Sequence, residues 1–467
     1  MPANKTVVTV IGSGPAGHTA AIRAAQLGAR VRLVEEGKLG GACLNWACIA
    51  TKFMIHATDI LENARQAARF GFNIACDGAD WNDLVSRKTE FTNSLGTGLE
   101  GLLSSGGIEI VNGTAEITNP ELVTVYPGAG APLRLKTDRI IIASGSVPRR
   151  LDVPGASSAG GVFPQGLISL ERLPESLTII GGGAVGVEFA HIFSRLGCRV
   201  NIVEMMPRLL PAEESELTLI LERSLKRSGV AVYTGAMVKS LSEAGGSKTI
   251  TLVHAGTELT LESEVTALGI GNRPRFDEAS LSRAGVAFSD CGIITDEHLS
   301  TSIPTIFAAG DVTGKHMLAH VATMQGKIAA ENAMGMDSII DYSAVPRCVF
   351  SRPELAAVGL TEEQAVALGH RVKCGHSPFA ATAAAGVRGE RRGMVKLVAD
   401  AETDRLLGMH ILGPDAAALI TEGVLALRKE TTLADIEGTI HAHPTLSEAV
   451  WNAALDADGR AINHRSR

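Results

Sequence analysis

Residues 8–36 read "VTVIGSGPAGHTAAIRAAQLGARVRLVEE", and residues 177–205 read "LTIIGGGAVGVEFAHIFSRLGCRVNIVEM". The two stretches align without a gap. Each holds an apolar run of strand length, a Gly-x-Gly-x-x-Gly turn, an Ala-rich or apolar helix, a Leu-Gly stop, and a second strand ending in glutamate. The pattern predicts two Rossmann-like strand–helix–strand units. Gly12 and Gly181 make the tight turn, Gly14 and Gly183 let a pyrophosphate approach the backbone, and Gly17 and Gly186 let helix and strand pack closely. The pyrophosphate would sit on the free N–H groups at the helix start. Glu35 and Glu204 would accept hydrogen bonds from the 2′-hydroxyl of an adenosine ribose.

Two such units imply two dinucleotides, and a flavin with a nicotinamide is the natural pair. The first unit runs straight into "GGACLNWACIATK" (40–52), where two of the seven cysteines, Cys43 and Cys48, stand five apart. Its ligand should be the redox centre that serves those cysteines. The second unit lies between turn-rich links and reads as an insert for the mobile nicotinamide. Glu204 would repel a 2′-phosphate and Met205 and Met206 offer it no cation, which favours NAD over NADP; Arg208 is the nearest positive charge.

At 467 residues the chain is too long for one core. A hydrophobic fraction of 45% and a charged fraction of 20% are globular values. The net charge of −7 argues against a nucleic-acid surface, and no apolar run reaches membrane-spanning length. A strand begins within the first ten residues, so a cytoplasmic protein is expected, where a lasting structural disulfide is rare. Cys76, Cys198, Cys291, Cys348 and Cys374 read as small buried hydrophobes.

With these features in view, the sequence resembles the FAD- and pyridine-nucleotide-dependent disulfide oxidoreductases, and among them the dihydrolipoamide dehydrogenase branch, over nearly its whole length. "IIIASGSVP" (140–148) is similar to the family's Ala-Thr-Gly strand, with Ser144 in the Thr place. "TSIPTIFAAGD" (301–311) resembles its second flavin strand, "MLAHVATMQG" (317–326) the helix start beneath the flavin ring, and "HAHPTLSEA" (441–449) its acid–base segment. The resemblance implies an α/β fold: a flavin domain in two pieces (1–150 and 271–345), a nicotinamide domain (151–270) and a C-terminal α+β dimerisation domain (346–467). It implies FAD contacts from Gly12, Gly14, Pro15, Ala16, Gly17, Glu35, Gly41, Ala42, Lys52, Ala115, Ser144 and Gly145. Further contacts would come from Asp311, as acceptor for a ribityl hydroxyl, and from Met317, Leu318, Ala319 and His320. NAD would meet Gly181, Gly183, Ala184, Val185, Gly186, Glu204 and Gly269.

No matching ligand pair for zinc accompanies Cys43 and Cys48, which leaves an exchanging dithiol. Positions five apart on an ideal helix diverge by roughly 140°, so Cys43 is expected at an irregular helix start, where the helix end would favour its thiolate. By resemblance Cys48 faces the flavin and Cys43 the substrate, Lys52 pairs with Glu188 beside the flavin, and His443 is the base, oriented by Glu448. Thr445-x-x-Glu448 also fits a helix capping box. The same resemblance implies a homodimer, with His443 reaching the partner's cysteines, and a lipoylated carrier protein as substrate. A glutathione-type or mercuric reductase and a redox-sensing flavoprotein subunit are the alternative readings. The segment departs from the family pattern at Trp46, Ala47, Ala50 and Thr51, around the cleft.

Overall fold

The computed structural model describes residues 5–75, 78–157 and 161–466. The first repeat folds as β1 (Val7–Ile11), α1 (Pro15–Gln26) and β2 (Arg30–Glu35). A short helix α2 (Gly41–Asn45), the long α3 (Cys48–Arg65) and α4 (Trp81–Ser105) follow. The second repeat folds as β3 (Ser176–Ile180), α5 (Ala184–Arg195) and β4 (Arg199–Glu204). Helices α6 (Ala319–Ala333) and α7 (Glu448–Asp456) complete the set that matters for the site.

The chain divides into two compact units. The first comprises Met1–Met54, Asp80–Arg150 and Gly271–Asp341; the second comprises Ile55–Ala79, Leu151–Ile270 and Tyr342–Arg467.

In the first unit five parallel strands run in the order Ile306–Ala308, Arg139–Ile142, β1, β2, Glu109–Asn112. The central strands are near-continuous apolar runs because both faces of a parallel sheet are covered. Val8, Val10, Ile140 and Ile141 are fully buried, and each such side chain contributes about 1.5–3 kcal/mol relative to exposure. The buried stripe of α1 is almost all alanine and glycine (Ala16, Gly17, Ala20, Ala21, Ala24), which lets α6 pack closely against it. A three-stranded antiparallel sheet (Thr114–Asn119, Leu122–Tyr126, Leu133–Lys136) flanks this core.

In the second unit β3 and β4 lie at the centre of a four-stranded parallel sheet between Ala231–Thr234 and Val265–Leu268. Its C-terminal part is a five-stranded antiparallel sheet, ordered Arg347–Val349, Glu354–Gly359, Leu406–Gly413, Met394–Asp400, Val372–Pro378. Met394–Asp400 pairs with Leu406–Gly413 as an antiparallel hairpin, and α7 buries Ala449, Val450, Ala453 and Ala454 in the same core. The architecture is the α/β fold expected, with parallel sheets around both glycine turns.

Among the described cysteines Cys198 is buried, Cys348 and Cys374 are half-buried, and Cys291 is exposed. Cys291 therefore departs from the reading of the scattered cysteines as buried hydrophobes: it sits in the exposed turn between two short strands, Phe288–Ser289 and Gly292–Ile293. Cys76 lies outside the described residues. No described helix is long and apolar enough to cross a membrane.

Candidate active site

The first glycine turn is fixed by contacts that exclude any side chain. A Cβ on Gly17 would stand 1.8 Å from the carbonyl oxygen of Gly12, while one on Gly14 would meet nothing within 4 Å. The space over Gly14 is thus open. Helix α1 begins there with Pro15 in its first turn, no side-chain cap and no acid within that turn, so the N–H groups of Ala16 and Gly17 lie at a positive helix end beside that space. Gly41, at φ 58°, brings α2 against Gly14, and Ala42 follows it. These features fit the pyrophosphate of a dinucleotide.

Glu35 braces this turn. Its Oε2 accepts from the backbone N–H and the hydroxyl of Ser13 (2.8 and 2.6 Å), and its Oε1 accepts from the N–H of Gly37 (2.8 Å). Ala115 lies on the strand Thr114–Asn119. Ser144 donates to the carbonyl of Arg275 (2.6 Å), and Gly145 turns the chain at φ 75°. Asp311 accepts from the Ser146 hydroxyl (2.6 Å), and burial pushes its carboxyl above the usual carboxylate range despite that bond. Met317 and Leu318 lead into α6, whose first turn holds Ala319 and His320, again with no side-chain cap and no acid. Sequence reasoning missed Gln325: its buried side chain accepts from the N–H of Gly310 (2.6 Å) and so holds the Asp311 turn. Only the fold brings those residues together.

The second turn repeats the first. A Cβ on Gly186 would stand 1.9 Å from the oxygen of Gly181, and Gly183 is open. The turn of Gly181 packs against the carbonyl of Gly269. Ala184 and Val185 open α5, which also lacks a side-chain cap or an acid in its first turn. Glu204 accepts from the N–H groups of Gly182 (2.5 Å) and Met206 (2.7 Å). Arg208 is committed elsewhere, donating to Glu363 (3.3 Å) and to the carbonyl of Pro211 (3.1 Å).

The cysteine segment differs from its expected local form. Cys43 lies inside the single turn of α2, the chain breaks at Trp46 and Ala47, and the long helix starts at Cys48. The break removes the angular conflict, and the two sulfurs share a hydrogen bond. The expectation of a thiolate at Cys43 is corrected: the bond with Cys48, then burial, push the Cys43 thiol well above its ordinary value, against the charge of Lys52. Lys52 and Cys48 lie four apart on one face of α3. Asp311 also acts on Cys43, so residues 268 positions apart in sequence share one neighbourhood.

In the second unit His443 Nδ1 lies 2.9 Å from Glu448 Oε1, while Glu448 Oε2 accepts from the N–H of Thr445 (2.9 Å). The Thr445 hydroxyl donates to the carbonyl of Ala442 (2.7 Å) instead of closing a capping box, and α7 starts only at Glu448. Burial alone would raise the Glu448 carboxyl, but its bonds from His443 and Thr445 outweigh that and hold it below its ordinary value. His443 is 72% exposed at its side chain, open on the face turned from Glu448. His441 is paired with Glu422 (2.9 Å), which raises its pKa. Glu188 is buried on α5 and accepts from the N–H of Phe350 (3.0 Å), a partner 162 residues away that no motif announced.

This pairing of two dinucleotide turns with a dithiol defines a flavin-linked disulfide oxidoreductase. Residues 6–326 match the pyridine nucleotide-disulphide oxidoreductase family and residues 345–454 match that family's dimerisation domain, so the chain belongs to this family. It is a homodimeric flavoprotein enzyme, and FAD and NAD are its cofactors. Among its relatives are dihydrolipoyl dehydrogenases from Bacillus subtilis, 35% identical over 98% of this chain and 99% of the relative, and from Chlorobaculum tepidum, 39% identical over 96% of each. Among solved structures, LpdA from Mycobacterium tuberculosis superposes with a TM-score of 0.88 at 27% identity, covering 96% of this chain and 99% of that one. A copper(II) complex of the HOCl-induced flavoprotein disulfide reductase RclA from Escherichia coli gives 0.87 at 28% identity, covering 97% and 99%.

Proposed function

We propose that the protein is a dihydrolipoyl dehydrogenase that reoxidises protein-bound dihydrolipoamide at Cys43–Cys48 and reduces NAD⁺. The observation that carries this reading is the hydrogen-bonded cysteine pair at the break between α2 and α3, held beside Lys52 and Asp311 in the unit that carries the first glycine turn. We assign FAD to residues 1–150 with 271–345, NAD to 151–270 and the interface to 346–467.

The exchange begins when one thiol of the lipoyl group attacks Cys43 of the Cys43–Cys48 disulfide. The S–S bond breaks and Cys48 leaves as thiolate. The second lipoyl thiol then displaces Cys43, closing the lipoyl disulfide and leaving the enzyme as dithiol. Two electrons and two protons have moved. Thiols are poor nucleophiles until deprotonated, so a base must take the lipoyl protons. His443 of the partner subunit serves, with Glu448 holding the imidazole and stabilising its protonated form. FAD, when bound, supplies the two-electron relay from this dithiol to NAD⁺. Gly14, Ala16, Gly17 and Asp311 would hold its pyrophosphate and ribityl chain, Lys52 and Glu188 would tune its ring, and Cys48 would exchange electrons with it. Glu204 binds the NAD ribose, and Arg208, tied to Glu363, offers nothing to a 2′-phosphate.

The test compares dihydrolipoamide, lipoylated carrier proteins and glutathione as substrates, with NAD and NADP in parallel. NADH formation from the lipoyl substrates is expected, and its loss in Cys43→Ser and Cys48→Ser. A Cys48→Ser variant with full turnover would refute the assignment, as would a preference for glutathione and NADP. A cytoplasmic location belongs to the same proposal, and cell fractionation checks it.

A further inference from the structure

Lys88 is the least explained charge in the first unit. It stands in the N-terminal half of α4 and is only 5% exposed. Its neighbours one turn away on α4 are Leu84, Val85, Phe91 and Thr92, none charged, and Phe91 packs on Phe53 of α3 with ring centroids 5.5 Å apart. The acids near it on the helix are engaged: Asp83 with Arg87 (2.7 Å) and Glu90 with the Ser86 hydroxyl (3.3 Å). Among the described residues no hydrogen-bond acceptor or carboxylate meets the Lys88 ammonium. The charge that acts on it is another cation, Lys38, and burial together with that repulsion holds its pKa below the usual lysine value.

The position of this ammonium is informative. Helix α4 leads into the strand Glu109–Asn112, which runs parallel to β2. Its last turn therefore lies at the amino edge of the sheet and its first turns at the carboxyl edge, where open α/β sheets bind their ligands. Lys38, three residues past the end of β2, donates to Asn93 Oδ1 of α4 (3.4 Å), so this half of the helix lies against the loop that follows Glu35. An ammonium partly withdrawn from water without a counter-charge is destabilising. Of the acids at this edge, Glu35 has already given its oxygens to Ser13 and Gly37, and Glu36 is paired with Arg275. The missing complement is an anion brought by the ligand.

We propose that Lys88, seconded by Lys38, is a phosphate ligand of the dinucleotide held by the first glycine turn, adding charge to the N–H groups that α1 supplies. The inference rests on reading that turn as the FAD unit.

The test removes the charge and reads binding and stability apart from turnover. In Lys88→Met, FAD titrated into flavin-stripped full-length protein should bind roughly tenfold more weakly or worse, while Lys88→Arg stays within about threefold. The melting temperatures should move in opposite senses: Lys88→Met raises that of the stripped protein, by removing the unpaired charge, and lowers that of the FAD-loaded protein. Unchanged FAD affinity, or equal losses of stability in both forms, would overturn the proposal. So would inorganic phosphate protecting stripped wild type but not Lys88→Met while FAD binds both alike, which would mean a separate phosphate site. Should Lys88→Met not fold, the exposed Lys38→Met should still weaken FAD binding and stabilise the stripped form; no change in either overturns the idea. Gly14→Val tests the underlying reading alone, because a variant that kept FAD would remove the cofactor from this turn whatever Lys88 does.

Discussion

At the scale of single residues, Glu448 does two things with its two oxygens: one orients His443 and the other pins the backbone at Thr445. Its folded pKa is depressed, so this contribution is fully present above the ordinary carboxylate value and is lost as pH falls through the depressed one. Urea denaturation of wild type and Glu448→Gln should show a stability gap at neutral pH that closes in acid. Steady-state turnover with dihydrolipoamide should fall by roughly 10²-fold or more in His443→Gln, and by less in Glu448→Gln, which keeps an acceptor for Thr445. Histidine, glutamate and their spacing were legible in the sequence. Not legible was that the Thr445 hydroxyl would prefer the carbonyl of Ala442, because the helix starts at Glu448, two residues later than a capping box requires.

At the scale of elements, the two glycine turns separate folding from binding. Gly17→Ala forces a Cβ against the oxygen of Gly12, and a loss of about 2–4 kcal/mol is expected in denaturant melts of the flavin-stripped protein. Gly14→Ala meets no atom and should leave that stability within about 0.5 kcal/mol, while weakening FAD binding measured by flavin fluorescence. Strand, turn, helix and terminal acid were readable because each leaves a local signature, apolar runs and glycine spacing above all. The division of the cysteine helix was not readable. Periodicity reports which face is apolar, and it says nothing of a chain that stops at Trp46 and restarts at Cys48.

At the scale of the whole molecule, the dimer is part of the chemistry proposed. Ile440, three residues before His443, is 97% exposed in the single chain, an expensive place for an isoleucine unless a partner covers it. Ile440→Asp should shift the protein toward monomers in sedimentation velocity and lower turnover with them, and FAD content should stay unchanged. The dimerisation domain was expected through resemblance alone. Composition and periodicity show an α+β segment after residue 346, and nothing in them says which of its faces meets a second copy.

The gap between α2 and α3 has a consequence for how such an enzyme is tuned. One sulfur is anchored at the head of an 18-residue helix, the other rides on a five-residue turn with little rigidity of its own. Opening and closing the bridge therefore asks for movement chiefly on the Cys43 side, like a latch swinging against a fixed post. Exchanges at positions 46 and 47 reshape the swinging half and leave the post in place. Such a hinge lets the choice of client drift while the electron route stays constant.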